Sequence, residues 1–200
     1  MTPDSLRDAP VLTPIPYLPR VSWFVTLLSN STVRWHTGEL YDKRRPRNRC
    51  KIATAKGPQE LSVPLINGRS QRMPLDRVQP LYNGKWQREH MHALQTAYGR
   101  TPYFQYYADG LFDILNAEHE SLASLNLSLI RAMLKNFRTN VNEVSDAATR
   151  PFSGNALPDD FTYRQVFGDR TGFVKDCSGV DLLFNHGPDA SAILNKALLA

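Results

Sequence analysis

The sequence predicts an α/β or α+β fold, with a single domain, a small mixed sheet flanked by helices, and a Pro-rich N-terminal arm. Three observations lead to this prediction. Apolar residues recur at helical spacing in several segments, short β-type runs lie between them, and five prolines fall within residues 2–20. A chain of 200 residues, 42% of them hydrophobic, is long enough to bury one substantial core.

The N-terminal arm is predicted from its prolines. Each proline fixes φ and lacks an N–H donor, so residues 1–20 are expected to be extended or irregular and to lie at the periphery. Residues 21–200 are expected to form the domain. The arm has no apolar region typical of a secretory signal, and no stretch of the chain reaches the roughly 18 apolar residues of a membrane span. We therefore expect a soluble protein. Its two cysteines, without a disulfide framework or zinc spacing, favour a reducing cytoplasm.

A helix and a strand are predicted directly after the arm. Val21, Phe24, Val25 and Leu28 follow the i, i+3, i+4, i+7 spacing of a helix with one buried face. Thr32–Trp35 then has the composition of a short strand.

The middle of the chain predicts a hairpin followed by three helices. Lys-Gly-Pro separates two β-type runs, Cys50–Ala53 and Glu60–Leu65. Helices are expected at Trp86–Tyr98, Pro102–Asn116 and Ser121–Phe137. Their apolar stripes indicate core rather than a cofactor site, because burying each large apolar side chain yields roughly 1.5–3 kcal/mol.

The C-terminal part begins with few large apolar residues. We interpret 138–160 as a linker or mobile loop and expect a short strand near Phe161–Phe167.

The stretch DLLFNHGPDA, starting at Asp181, has both a structural and a functional interpretation. Ser178 and Asp181 match the S-x-x-D form of a capping box, which makes Asp181 chiefly a helix cap. Gly187-Pro188 fits the end of one helix and the start of the next. Asn185 is disfavoured inside a helix, and the capping interpretation leaves it unexplained.

One basic cluster stands out in a chain of net charge +5. Seven Lys and Arg residues and no acidic residue occupy 43–56. Arg47 and Arg49 are two apart and are expected to share one face of a strand, where their planar forks can bind phosphate or carboxylate oxygens. The alternative is an edge strand protected from aggregation by charge. The run contains no aromatic residue to stack on bases, which argues against nucleic acid.

The other residues of catalytic type form no established motif. His90 is a candidate general base, but a core histidine bonded to a carbonyl is the alternative. His90 and His92 are two apart on a helix and cannot face one metal ion, so no metal site is expected. Cys50 and Cys177 give no disulfide framework, and Cys50 is expected to be buried and inert although cations flank it.

Six motifs, in sequence order, resemble the WbqC-like family. They are PYLPRVSWFVTLL from Pro16, RNRCKI from Arg47, LSVPL from Leu61, WQREHMHALQTAYGRTPYF from Trp86, YRQVF from Tyr163 and DLLFNHGPDA from Asp181. The length is similar to that of the short members typical of the Bacteroidota. The chain departs from the family pattern at Ile15, where longer members have Gln, and at Glu89, where Lys is frequent.

The resemblance implies an enzyme of surface-polysaccharide biosynthesis that acts on an anionic, nucleotide-linked amino sugar by acyl or aminoacyl transfer. The sequence itself predicts no cofactor. The family pattern implies His90, Asp181 and Asn185 as catalytic residues. The implied substrate-binding residues are Tyr17, Arg47, Asn48, Arg49, Tyr98 and Gln165.

A second hypothesis is a non-enzymatic module whose basic segment contacts an acidic partner or nucleic acid. The two hypotheses differ in geometry. An enzyme is expected to place Arg49, His90 and Asn185 around one concave pocket, whereas a module leaves the arginines on an open face.

Overall fold

The structure is a computed structural model and describes residues 9–153 and 157–199. The strands are β1 (Val11–Thr13), β2 (Thr32–Trp35), β3 (Arg49–Thr54), β4 (Gly57–Ser62), β5 (Asn142–Glu143) and β6 (Arg150–Pro151). The helices are α1 (Val21–Leu28), α2 (Lys85–Tyr98), α3 (Phe104–Asn116), α4 (Leu122–Asn136), α5 (Gly168–Thr171), α6 (Gly179–His186) and α7 (Ala190–Leu199). A 3-10 turn at Gly187–Asp189 joins α6 to α7.

The mixed α/β class is confirmed, but the strands form two sheets instead of one mixed sheet. Four strands pair in parallel in the order β5-β2-β1-β6, and β3 and β4 form a separate antiparallel hairpin. The first four helices and β3 lie close to their predicted bounds. Strand β4 was predicted at Glu60–Leu65 but spans Gly57–Ser62, because the turn lies at Ala55-Lys56 and Gly57-Pro58 already pairs with β3. Whether 21–200 is one independent domain stays a prediction.

The described part of the Pro-rich arm is not peripheral, so this prediction was wrong for residues 11–20. β1 is an interior strand that pairs with β2 on one side and β6 on the other. Pro10 and Pro14 flank Val11–Thr13, so the three N–H groups of β1 remain available for pairing. Ile15 and Tyr17 are fully buried just beyond it. Residues 1–8 lie outside the described residues.

Helix α1 returns the chain from β1 to β2 as a parallel crossover. Six of its eight residues are buried, so it is covered on more than one face. Its first turn is held by Asp176, whose carboxylate accepts from the Ser22 backbone N–H at 2.9 Å and from the Ser22 hydroxyl at 2.9 Å.

The segment interpreted as a linker, 138–160, contributes to the sheet. Its strands β5 and β6 lie at opposite edges, and only residues 154–156 of the segment fall outside the described residues. The strand expected at Phe161–Phe167 is absent from the described structure. Tyr163 and Gln165 are instead buried, because their side chains turn inward to α6.

Helix α6 is the centre of the helical packing. It contacts five other helices, α1, α2, α3, α4 and α7, as well as strand β3. Leu182, Leu183 and Phe184 are all fully buried, as expected for a helix that is surrounded by other elements. A Cβ at Gly179 would lie 2.7 Å from the Phe24 side chain and 2.9 Å from that of Met133, so a residue without Cβ permits this close approach.

Candidate functional site

His90 lies in a buried cluster on the inner face of α2. Its Nδ1 is 2.8 Å from the hydroxyl of Tyr17, and only 4% of the residue is exposed. Trp86 packs edge-on against the imidazole, with ring centroids 5.2 Å apart. Burial lowers the pKa of His90 to about 4, although a hydrogen bond to the Ser62 backbone acts in the opposite direction. The ring is therefore neutral at physiological pH and has the surroundings of a core histidine.

Asp181 lies in a second buried cluster at the start of α6. Its Oδ2 accepts from the Tyr163 hydroxyl at 2.7 Å and from the Gln165 amide at 2.8 Å. Burial raises the pKa of Asp181, while hydrogen bonds from Tyr163, Gln165 and Tyr98 lower it in part. The Ser178 hydroxyl does accept from the Val180 N–H, but Asp181 does not reach back to complete a capping box, so that prediction was wrong.

Asn185 is explained by its own helix. Its Nδ2 donates to the Asp181 backbone carbonyl at 2.7 Å, one turn earlier. This hydrogen bond to its own helix accounts for Asn185, which the capping interpretation left unexplained. Gly187 has φ +50° at the end of α6 and Pro188 starts the next turn, as predicted.

The two clusters are separated along α2. His90 and Tyr98 share its buried face eight residues apart, which corresponds to about 12 Å of helical rise. Tyr98 belongs with Asp181, and its hydroxyl also accepts from the Ala53 N–H at 3.0 Å. Arg49, His90 and Asn185 line neither the two cavities described below nor a third one beside α7, so the substrate-binding role of Arg49 and the catalytic roles of His90 and Asn185 stay predictions.

Arg47 and Arg49 do not share a face. Arg47 precedes β3, is 6% exposed, and binds Glu39 with two hydrogen bonds of 2.7 and 2.8 Å. Arg49 begins β3 and is partly exposed, 3.6 Å from Glu60 and bonded to the Lys43 carbonyl. Acidic residues on either side of the basic run thus neutralise part of it.

Asn48 is a buried structural residue between the two arginines. It accepts from the Tyr41 hydroxyl at 3.1 Å and donates to the Val63 carbonyl at 2.8 Å. Asn126 of α4 donates to the carbonyls of Ile15 and Arg47, at 2.8 Å each, and so fixes this loop against the core.

A cavity of about 760 Å³ forms a basic groove beside the parallel sheet. We call it the arginine groove; its lining residues are His36, Glu39, Leu40, Tyr41, Asp42, Lys43, Arg44, Arg45, Arg69, Ser70, Gln71 and Arg72. Five cationic side chains face two carboxylates there, which leaves an excess of positive charge. Cationic clefts of this kind concentrate anionic ligands.

Ion pairing leaves some cations of the arginine groove uncommitted. Arg44 binds Asp42 and holds the pKa of that carboxyl at about 2. Neither Arg69 nor Arg72 forms an ion pair with any residue that the structure describes. Burial raises the pKa of the Tyr41 hydroxyl, and Arg69 beside it acts in the opposite direction. Neither guanidinium is therefore committed to a carboxylate, so both can bind an anionic ligand.

A second cavity, of about 350 Å³, adjoins the carboxyl ends of the parallel strands. We call it the edge cavity. Pro14 follows β1, His36 follows β2, and Phe152 follows β6, and all three line it. In open α/β sheets, ligands bind outside the carboxyl ends of the strands. The edge cavity and the arginine groove share the lining residues His36, Glu39 and Arg45, so they are adjacent and we treat them as one candidate site.

The model of the WbqC-like protein family matches residues 16–160 of the chain. The chain belongs to the WbqC-like family. No curated protein and no solved structure matched it in the corresponding searches. The matched part of this WbqC-like chain contains the whole arginine groove and α2, while Gln165, Asp181 and Asn185 lie beyond it.

Sequence reasoning missed most residues of the candidate site in this WbqC-like chain. His36, Glu39, Arg69 and Arg72 were not selected, because none stands in the basic run. His36 carried a usable signal, since it directly follows the predicted strand Thr32–Trp35, where parallel sheets bind ligands. Arg69 and Arg72 offered none, because only folding brings them to the groove.

Other site types have limited support in the described part of the chain. No group of three or more His, Cys, Asp or Glu residues there is placed to hold a metal ion. No described helix has both the length and the apolar character needed to cross a bilayer. Cys50 and Cys177 are free and buried, and burial raises the pKa of both thiols, that of Cys177 to about 12. Neither thiol is a ready nucleophile.

Proposed function

We propose that this WbqC-like protein is a cytoplasmic enzyme of surface-polysaccharide biosynthesis that binds an anionic, nucleotide-linked amino sugar in the arginine groove. The observation that carries the proposal is a concave, positively charged cavity next to the carboxyl ends of a parallel sheet. The polysaccharide setting, and acyl or aminoacyl transfer as the reaction class, come from the family resemblance. Two buried free cysteines are compatible with a reducing compartment.

The chemistry of the arginine groove favours a phosphate-bearing ligand. Arg69 and Arg72 have no acidic partner among the described residues, so an incoming anion does not have to displace one. An arginine fork matches two phosphate oxygens, and hydrogen bonds to charged groups contribute about 1.5–3 kcal/mol each. A volume of about 760 Å³ lies within the usual range for small-molecule pockets. A concave site of this size favours a small ligand over an extended acidic partner.

Calorimetric titration of the purified protein with UDP- and dTDP-linked amino sugars tests the proposal. Replacing Arg69 and Arg72 together by Ala is expected to weaken binding at least tenfold, since about 1.4 kcal/mol corresponds to a factor of ten. Arg88→Ala is the matched control, because Arg88 is an exposed arginine of α2 outside the groove. Absence of binding to the parent protein, or equal losses in control and double variant, would refute the anion site.

A further inference from the structure

The edge cavity and the arginine groove differ in character although they share three lining residues. Five cationic side chains line the groove. The edge cavity is lined in part by apolar side chains, those of Leu12, Pro14, Pro151 and Phe152. One ligand that spans both must therefore have a strongly anionic part and an uncharged part.

Three shared residues, His36, Glu39 and Arg45, stand where the cavities join. Arg47 alone satisfies both oxygens of Glu39, with one hydrogen bond to each. Arg45 adds a third bond, of 2.8 Å, while its side chain stays 61% exposed. Arg45 can thus turn towards a phosphate without leaving Glu39 as an unpaired buried charge. Two arginines, Arg45 and Arg47, share the single carboxylate of Glu39, so this group of three keeps a net positive charge.

The walls of the edge cavity are held firmly. The indole N–H of Trp23 donates to the Pro14 carbonyl at 3.2 Å, and its ring lies 6.1 Å from that of Phe152. The guanidinium of Arg150 is occupied by the Ala9 carbonyl and the Asn30 side chain. These neutral acceptors use N–H donors of Arg150 but do not neutralise its positive charge.

His36 and Thr149 line the edge cavity and can form hydrogen bonds with the hydroxyls of a ligand. The His36 side chain has no hydrogen bond to any residue in the described ranges, although its backbone N–H is bonded to the Thr13 carbonyl. The lining is mixed, with four apolar residues and five polar or charged ones. Of the latter, Glu39, Arg45 and Arg150 already make hydrogen bonds within the protein, whereas the side chains of His36 and Thr149 do not within the described ranges. A sugar ring has both an apolar C–H face and hydroxyls, and so matches this lining.

We propose that the edge cavity binds the sugar ring of a diphosphate-linked sugar whose diphosphate lies in the arginine groove. Arg45 and His36 contact the ligand where the two parts join. This inference rests on the proposed function, because the groove must first bind the diphosphate. It adds which cavity selects the sugar and which residues form its wall.

A filled edge cavity tests the inference. Thr149→Trp places a bulky side chain in the cavity, and Ala148→Trp, at the exposed neighbour, is the matched control. UDP, UDP-N-acetylglucosamine, dTDP and dTDP-glucose are titrated against each protein. In the parent and the control, at least one sugar-linked nucleotide is expected to bind about tenfold more tightly than the free nucleotide. Thr149→Trp is expected to abolish this difference and leave the affinity for the free nucleotide within twofold.

The outcomes separate the inference from the proposed function. If no nucleotide binds the parent protein, the proposed function fails. If free nucleotides bind but no sugar improves the affinity, only the inference fails. If Thr149→Trp weakens free and sugar-linked nucleotides equally, the edge cavity holds the base, and the sugar assignment is overturned. His36→Ala enlarges the cavity instead of filling it. If the inference is correct, this variant must also reduce the difference in affinity between sugar-linked and free nucleotides. It replaces Thr149→Trp as the test if that variant does not fold.

Discussion

Glu39→Gln removes the carboxylate that joins the two cavities and leaves a buried cation without its counter-ion. Arg47 is 6% exposed and has Glu39 as its ion-pair partner. The Gln side chain keeps the volume and one acceptor oxygen, but it loses the negative charge. Removing one partner of a buried ion pair costs about 3–5 kcal/mol, because the remaining charge stays desolvated.

Because Gln keeps one oxygen that can accept a hydrogen bond from Arg47, we expect Glu39→Gln to lower the free energy of unfolding by about 3 kcal/mol, the lower end of this range. For a chain of 200 residues this corresponds to a fall of roughly 6–12 °C in Tm. Urea unfolding followed by tryptophan fluorescence measures the free energy, and a thermal scan gives the midpoint.

Asp42→Asn is the matched control for Glu39→Gln, since Asp42 carries the neighbouring carboxylate of the same groove and pairs with the exposed Arg44. We expect no resolvable change in stability, because exposed ion pairs contribute little. A loss below about 1 kcal/mol for Glu39→Gln, or equal losses in both variants, would refute the view that Arg47 depends on Glu39.

Further predictions concern the buried clusters and one glycine. Tyr17→Phe leaves His90 Nδ1 without its partner and should cost about 1–3 kcal/mol in urea unfolding. Because the pKa of His90 is lowered to about 4, its ring should remain neutral at pH 6 in an NMR titration. The neutral ring contributes fully to the free energy of unfolding above the unfolded pKa of about 6.5, and this contribution is lost as the pH falls towards 4. The pKa of Asp181 is raised, so ionisation of this buried carboxyl lowers the free energy of unfolding as the pH rises from about 4 through the folded pKa. The stability of Asp181→Asn relative to the parent should therefore improve between pH 4 and pH 8 in urea unfolding. A difference that does not change with pH would contradict this. In Gly187→Ala, the new Cβ would stand at a positive φ and overlap the ring of Tyr103, so the free energy of unfolding should fall by at least about 2 kcal/mol. Gly110→Ala, in open space on α3, should instead raise it by about 0.5–1 kcal/mol.

Local patterns in the sequence predict the local structure well. The bounds of α1 follow from the spacing of Val21, Phe24, Val25 and Leu28, and β2 coincides with Thr32–Trp35. The Gly187-Pro188 boundary is equally local. Such features depend on neighbours within one or two turns, so a single sequence is sufficient to predict them.

Features that depend on distant partners were predicted poorly. The S-x-x-D pattern suggested that Asp181 caps α6, but its partners Tyr163 and Gln165 come from a segment that was expected to be a strand. Prolines suggested a peripheral arm, although Val11–Thr13 has partners on both sides. Parallel pairing joins strands far apart in sequence, and local patterns do not reveal it.

The candidate site shows the same limit. The basic run indicated a cationic region, and Lys43, Arg44 and Arg45 do line the arginine groove. The ion pair of Arg47 with Glu39 could not be read from the run itself, because the acidic partner lies just outside it. Charge counting along a chain therefore locates a basic surface better than it identifies the residue that binds a ligand.

The outer strands β5 and β6 give the sheet a particular vulnerability. Both come from the single segment 142–151, and each covers one edge of the β2–β1 pair. An uncovered strand presents a row of free N–H and C=O groups to which another chain can pair. Cleavage or insertion between residues 144 and 149 would therefore weaken the pairing of β5 with β2 and of β6 with β1 together, and so expose both edges of the sheet. One short segment thus protects both sides of the sheet from intermolecular strand pairing and aggregation.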